Sequence, residues 1–133
     1  MSDSSIYTKI IRGEIPCHKI YEDDRTLAFL DIAPMQPGHT LIVPKLEVNR
    51  LEDLPEEDYR AVMATVRKVM QRIVEVYGTE YRACLKVMGF DVPHAHVHVL
   101  PCRSGEEFQS STPLATEPDH AALEAEAERL RFE

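Results

Sequence analysis

The sequence predicts an α+β fold in which a five-stranded antiparallel sheet carries two helices and is followed by a C-terminal helical extension. Five short runs rich in β-branched and aromatic residues are bounded by Gly, Pro and Asp turns. One long helix, residues 55–77, separates the third run from the fourth. The other connections are too short for the crossovers that parallel strands need, which favours antiparallel pairing over repeated βαβ units.

Residues 4–11 place Ile6, Tyr7, Ile10 and Ile11 at helical spacing behind serines able to cap, and Gly13 and Pro16 stop this opening helix. Strands are expected at 18–21, at 26–32 after the turn Glu22-Asp23-Asp24-Arg25, and at 39–43 after Pro34, Pro37 and Gly38. In 55–77, Tyr59, Val62, Met63, Val66, Val69, Met70, Ile73, Val74 and Tyr77 trace one apolar face, which Gly78 ends. Residues 82–88 and 94–100 read as the last two strands, and Pro101 closes the second. Residues 104–113 are polar and expected to be loose. Thr116-x-x-Asp119 has the form of a capping box opening a helix through Arg131, and the abundance of Glu reads as a solvated acidic helix. Residues 1–103 thus form the body of one domain and 104–133 an acidic extension of it.

Lys+Arg total 15 and Asp+Glu 23, a net charge of −8, and residues 104–133 supply eight of the acids but only two of the bases. An acidic chain without a Lys/Arg cluster lacks the electrostatic footprint for sequence-independent nucleic-acid or anionic-membrane binding, so neither is expected as a partner. The N-terminus shows no apolar signal segment, and no apolar run is long enough to span a bilayer. Cys17, Cys84 and Cys102 are few, odd in number and far apart, which suits a reducing cytoplasm better than a disulfide framework or zinc ribbon.

His94, His96 and His98 alternate with Ala95, Val97 and Val99. On a strand this spacing puts three imidazoles on one face and small or β-branched residues on the other. A row of histidines is a poor choice for packing alone, because buried imidazole needs partners and protonated neighbours repel. For His18 and His120 an ordinary satisfied histidine is the simpler reading. Two functions compete for the row. A metal would need ligand atoms about 2.0–2.1 Å from one ion, whereas the Cα atoms of His94 and His98 should stand roughly 13 Å apart, with His39 as the further ligand. Alternatively, imidazole itself acts on phosphorus, the central ring as nucleophile and its neighbours stabilising charge and moving protons.

The run PHAHVHVLP at 93–101 resembles the His-φ-His-φ-His-φ-φ signature, φ being hydrophobic, of the histidine triad (HIT) family. Residues 6–45 resemble the nucleotide-binding front half of the histidine triad nucleotide-binding proteins. The resemblance implies the same five-stranded fold, a homodimer, a purine nucleotide substrate and no cofactor. It implies that His96 attacks the α-phosphate to form a nucleotidyl-histidine, that His98 and His39 line the phosphate site, and that His94 orients the nucleophile. Asp31 would accept the ribose hydroxyls, and Ile6, Tyr7, Ile10, Ile15, Phe29 and Ile32 would form the base pocket. A histidine rather than glutamine at position 96 points to hydrolysis of nucleoside phosphoramidates or related conjugates, including dinucleoside polyphosphates. The other reading is a non-catalytic nucleotide-binding regulator on the same scaffold. Two departures stand out. The loop at 88–93 is shorter than in many relatives and puts Asp91 where a neutral hydroxyl often meets phosphate. At the positions where some relatives hold zinc, this chain has Ser5, Thr8, Glu47 and His94, which implies no structural zinc.

Overall fold

The computed structural model describes residues 4–110 and 112–133. Met1 to Asp3, part of the stretch read above for a signal segment, and Ser111, part of the stretch read as loose, lie outside the described residues. Helix α1 (Ile6–Ile11) opens where Ser5 Oγ accepts from the Thr8 backbone N–H at 3.0 Å. Strands β1 (Lys19–Glu22), β2 (Thr26–Leu30) and β3 (Thr40–Pro44) follow as an antiparallel meander. A single 3-10 turn (Leu51–Asp53) leads into α2 (Glu56–Tyr77), whose first turn carries Glu56, Glu57 and Asp58 against the positive end of the helix dipole. Strands β4 (Arg82–Lys86) and β5 (Val97–Cys102) complete an antiparallel sheet of order β1-β2-β3-β5-β4, with β4 at one edge. The α+β architecture and the five antiparallel strands are those expected from the sequence.

Both faces of the central strands are covered, so β2, β3 and β5 are buried throughout. Strand alternation sorts their side chains in two. Ala28, Leu30, Ile42, Val97 and Val99 face the main core beneath α2, against Val62, Val66, Val69 and Ile73. Leu27, Phe29, Leu41 and Val43 face the other way and form a second cluster with Tyr7 of α1. His98 is the cross-strand partner of Leu41, which puts it on this second face.

Four expectations need correction. The last strand begins at Val97 rather than His94, because β3 pairs with β5 only as far as Ile42 and the chain before it is held by other bonds. The Ala95 N–H goes to the Val48 carbonyl at 2.7 Å and the His94 ring is bound on both nitrogens. Residues 104–113 contain a short helix, α3 (Gly105–Gln109), capped by Ser104 Oγ accepting from the Glu107 N–H at 3.2 Å. The C-terminal helix α4 (His120–Leu130) starts three residues later than expected, with Asp119 rather than Thr116 as its cap. Pro118 disfavours helical geometry at Glu117, so Thr116 cannot open it. Nor is α4 merely solvated. Leu123, Ala127 and Leu130 are buried in the main core, and Arg72 of α2 donates to the Leu130 and Arg129 carbonyls, both at 3.0 Å. His18 and His120 meet at 2.9 Å between β1 and α4, and Glu124 lies 3.0 Å from His18 Nδ1.

Candidate active site

His39, His96 and His98 open onto one cavity of about 360 Å³. The loop after β2 brings Asp31, Ala33 and Met35, α1 brings Tyr7, and the end of β4 with its following loop brings Lys86 and Met88 to Val92. His94 stands behind the cavity and is fully buried. His96 packs edge-on to Tyr7 with ring centres 5.0 Å apart and lies 5.1 Å from the His98 ring. Although His94 and His96 precede the strand proper, the three rings still share a face, because Tyr7 also touches His94, at 5.8 Å.

Hydrogen bonds assign each ring a tautomer. His96 Nδ1 lies 2.7 Å from the His94 carbonyl, which can only accept, so Nδ1 carries the proton and Nε2 keeps its lone pair. His94 Nε2 lies 2.8 Å from the Pro44 carbonyl, so it too is a donor, and His94 Nδ1 accepts from Ser5 Oγ at 2.7 Å. His39 Nδ1 accepts from the Met35 N–H at 3.1 Å, which leaves Nε2–H to donate to His98 Nδ1 at 2.9 Å. His98 must then carry its own proton on Nε2. Burial favours the neutral forms of His98, His39 and His94. Desolvation, with His39 and His96 adding to it, pushes His98 down to about 4, and desolvation also holds His39 and His94 below the usual histidine value.

Asp31 Oδ1 accepts from the Ala33 N–H at 2.9 Å, and Oδ2 lies 3.7 Å from His39 Nε2. Burial, with Asp31 and Asp91 adding to it, pushes the Tyr7 phenol up to about 12. Asp31, His39 and His98 bring ligand atoms within 4.8 Å of one another. They do not fit a metal ion, because the Met35 N–H occupies His39 Nδ1 and turns a donor N–H, not a lone pair, toward the cluster. Ser5, Thr8, Glu47 and His94 do converge, but as a hydrogen-bonded knot. Glu47 Oε1 accepts from the Ser5 N–H at 2.8 Å and from Thr8 Oγ1 at 2.6 Å, which lowers the Glu47 carboxyl. With hydroxyls where thiolates would ligate and both His94 nitrogens committed, this knot offers no zinc set.

Of the six apolar residues expected around the base, Tyr7 lines the histidine cavity. Phe29 is buried behind it, with ring centres 5.9 Å apart. Ile10 and Ile15 line a separate cleft with Cys17 and Leu27, Ile32 lines a second cavity bordered by α4, and Ile6 is exposed. Lys86, Met35 and Ser110 are cavity residues that sequence reasoning missed. Lys86 could have been found, since it is a cation on a strand expected to pair near the histidine row.

The HIT domain family matches residues 12–105. The chain is 34% identical over 105 residues to adenosine 5′-monophosphoramidase hnt1 of Schizosaccharomyces pombe, covering 79% of this chain and 78% of that one. It is 34% identical over 118 residues to adenylylsulfatase HINT3 of Arabidopsis thaliana, covering 86% of this chain but 60% of the relative. Among solved structures, a Hit-like protein involved in cell-cycle regulation from Bartonella henselae superimposes with a TM-score of 0.77 at 30% identity, covering 98% of this chain and 96% of that one. With His39, His96 and His98 opening onto one cavity, His94 buried behind it, and the family match spanning the whole sheet, this chain belongs to the HIT family.

Proposed function

We propose that this chain hydrolyses purine nucleoside phosphoramidates or related nucleotide conjugates, dinucleoside polyphosphates among them, at the α-phosphate through a nucleotidyl-His96 intermediate. One observation carries the reading: the His94 carbonyl holds the His96 Nδ1–H at 2.7 Å and so leaves Nε2 as a lone pair beside His98. A neutral imidazole with its far nitrogen protonated is the nucleophilic form. His98 holds the phosphate by donating from Nε2–H, His39 lines the phosphate site and fixes that tautomer by donating to His98 Nδ1, and His94 is a positioning residue acting through its backbone. Asp31 accepts the ribose hydroxyls. Tyr7, backed by Phe29, gives the base an apolar wall, while Ile10, Ile15 and Ile32 line two other clefts and Ile6 is exposed. The names of hnt1 and HINT3 support nucleotide hydrolysis as the chemistry. The chain works as a homodimer, for which the unpaired edge of β4 and the exposed Leu85, Val87 and Met88 provide a surface; sedimentation measures it.

Hydrolysis of adenosine 5′-phosphoramidate by wild type and His96→Ala tests the function. Turnover in wild type that is lost in the variant is expected. Tight AMP binding without turnover in wild type would point instead to a nucleotide-binding regulator.

A further inference from the structure

Lys86 is the only ammonium or guanidinium side chain among the described residues lining the histidine cavity. It stands opposite His98 in the β4–β5 register, and its Nζ sits 4.7 Å from the centre of the Phe108 ring. That ring comes from α3. The helix is fixed by its Ser104 cap, by the Arg103–Glu107 ion pair at 3.1 Å, and by Gln36 Nε2 donating to the Glu107 carbonyl at 3.4 Å. Among the described residues no carboxylate comes within 4.0 Å of Lys86 Nζ, so its charge is not spent inside the protein. A cation–π contact holds an ammonium in place without neutralising it.

The protonation of the site makes this cation matter. An amine leaving a phosphoramidate must gain a proton, yet with His98 pushed down to about 4 its imidazolium form is about one part in a thousand at pH 7. An oxyacid anion departs with its electron pair and needs no proton, only a positive charge to receive it.

Resting on the hydrolase reading above, we propose that Lys86, held by Phe108, is a specificity-determining residue that selects conjugates whose leaving group is an oxyacid anion, such as sulfate, phosphate or polyphosphate, over those that release an amine. With adenosine 5′-phosphosulfate, His96 Nε2 forms a bond to the α-phosphorus while the bridging P–O bond breaks, its electron pair leaving on sulfate dianion beside Lys86. Water then attacks the phosphorus and gives one proton to solvent. The P–N bond breaks, its electrons return to Nε2, and AMP is released.

The test compares kcat/KM for adenosine 5′-phosphosulfate and adenosine 5′-phosphoramidate in wild type, Lys86→Met and Lys86→Arg. A charge-assisted contact corresponds to about a 10- to 100-fold effect, so the sulfate-to-amide ratio should fall by that factor in Lys86→Met, and Lys86→Arg should restore most of it. A parallel calorimetric titration with AMP and the non-hydrolysable α,β-methylene analogue of ADP should show this ADP analogue preferred by wild type and that ADP preference erased in Lys86→Met. An unchanged ratio with both substrates slowed equally, or an ADP preference that survives in Lys86→Met, overturns the proposal. If wild type turns over neither substrate, the hydrolase reading fails by itself. The ADP preference then decides the role of Lys86, its loss in Lys86→Met supporting the proposal and its absence from wild type overturning it.

Discussion

Replacing Ser5 by Ala should show how far the positioning of His96 depends on a hydroxyl two hydrogen bonds away. Ser5 Oγ does two things: it accepts from the Thr8 N–H at 3.0 Å as the cap of α1, and it donates to His94 Nδ1 at 2.7 Å. Losing the cap costs about 1 kcal/mol. Losing the donor strands an imidazole nitrogen in a fully buried ring, with only Thr8 Oγ1 left at 3.4 Å, which costs a further 1–3 kcal/mol or so. The sum, about 2–4 kcal/mol, corresponds to a fall in Tm of roughly 6–16 °C for a chain of this size. Differential scanning calorimetry of wild type, Ser5→Ala and Ser5→Thr measures it, the threonine keeping the hydroxyl. Because the His94 carbonyl orients His96, kcat should fall with Tm in Ser5→Ala and recover in Ser5→Thr. A Tm within 2 °C of wild type in Ser5→Ala, or an equal loss in both variants, would refute the link from Ser5 to the histidine.

Gly38, at φ +84°, holds the turn before His39, and a Cβ there would meet Tyr77 Oη at 2.6 Å and Pro101 Cγ at 3.0 Å. Gly38→Ala should cost about 2–4 kcal/mol by urea titration, and Tyr77→Phe, which removes a buried hydroxyl without a partner, should relieve part of that loss. Acid should weaken the fold through His98. Its imidazole drops from an ordinary value of 6.5 to about 4 on folding, so between those values the unfolded chain binds more protons and stability falls as pH falls. Thermal melts from pH 7 to 4 should therefore slope less steeply in His98→Gln, and equal slopes would contradict the burial assigned to the ring. Arg72→Met removes both donors at the C-terminal end of α4 and should cost about 1–3 kcal/mol by chemical denaturation.

Local pattern was enough where one element decides its own structure. The apolar stripe of α2 and the Ser5 cap of α1 are visible as spacing, and the alternation of His94, His96 and His98 marks both a face and a chemistry. What could not be read depends on partners far along the chain. The start of β5 is set by where β3 stops pairing, some fifty residues earlier, and His94 is withdrawn from the ladder by Ser5 and Pro44. The spacing Leu123, Ala127, Leu130 is a buried stripe, but its surrounding glutamates made α4 look solvated. Lys86 joins the site only because β4 lies beside β5, and α3 matters only because its Phe108 reaches that lysine.

The central claim is a covalent bond between His96 and the α-phosphate. Wild-type protein mixed with adenosine 5′-phosphoramidate, quenched within one turnover and measured by intact-protein mass spectrometry with peptide mapping, tests it most directly. One nucleotidyl group per chain, on the peptide carrying His96 and absent from His96→Ala, is the expected result. Turnover without an adduct, or an adduct that survives in His96→Ala, would contradict it.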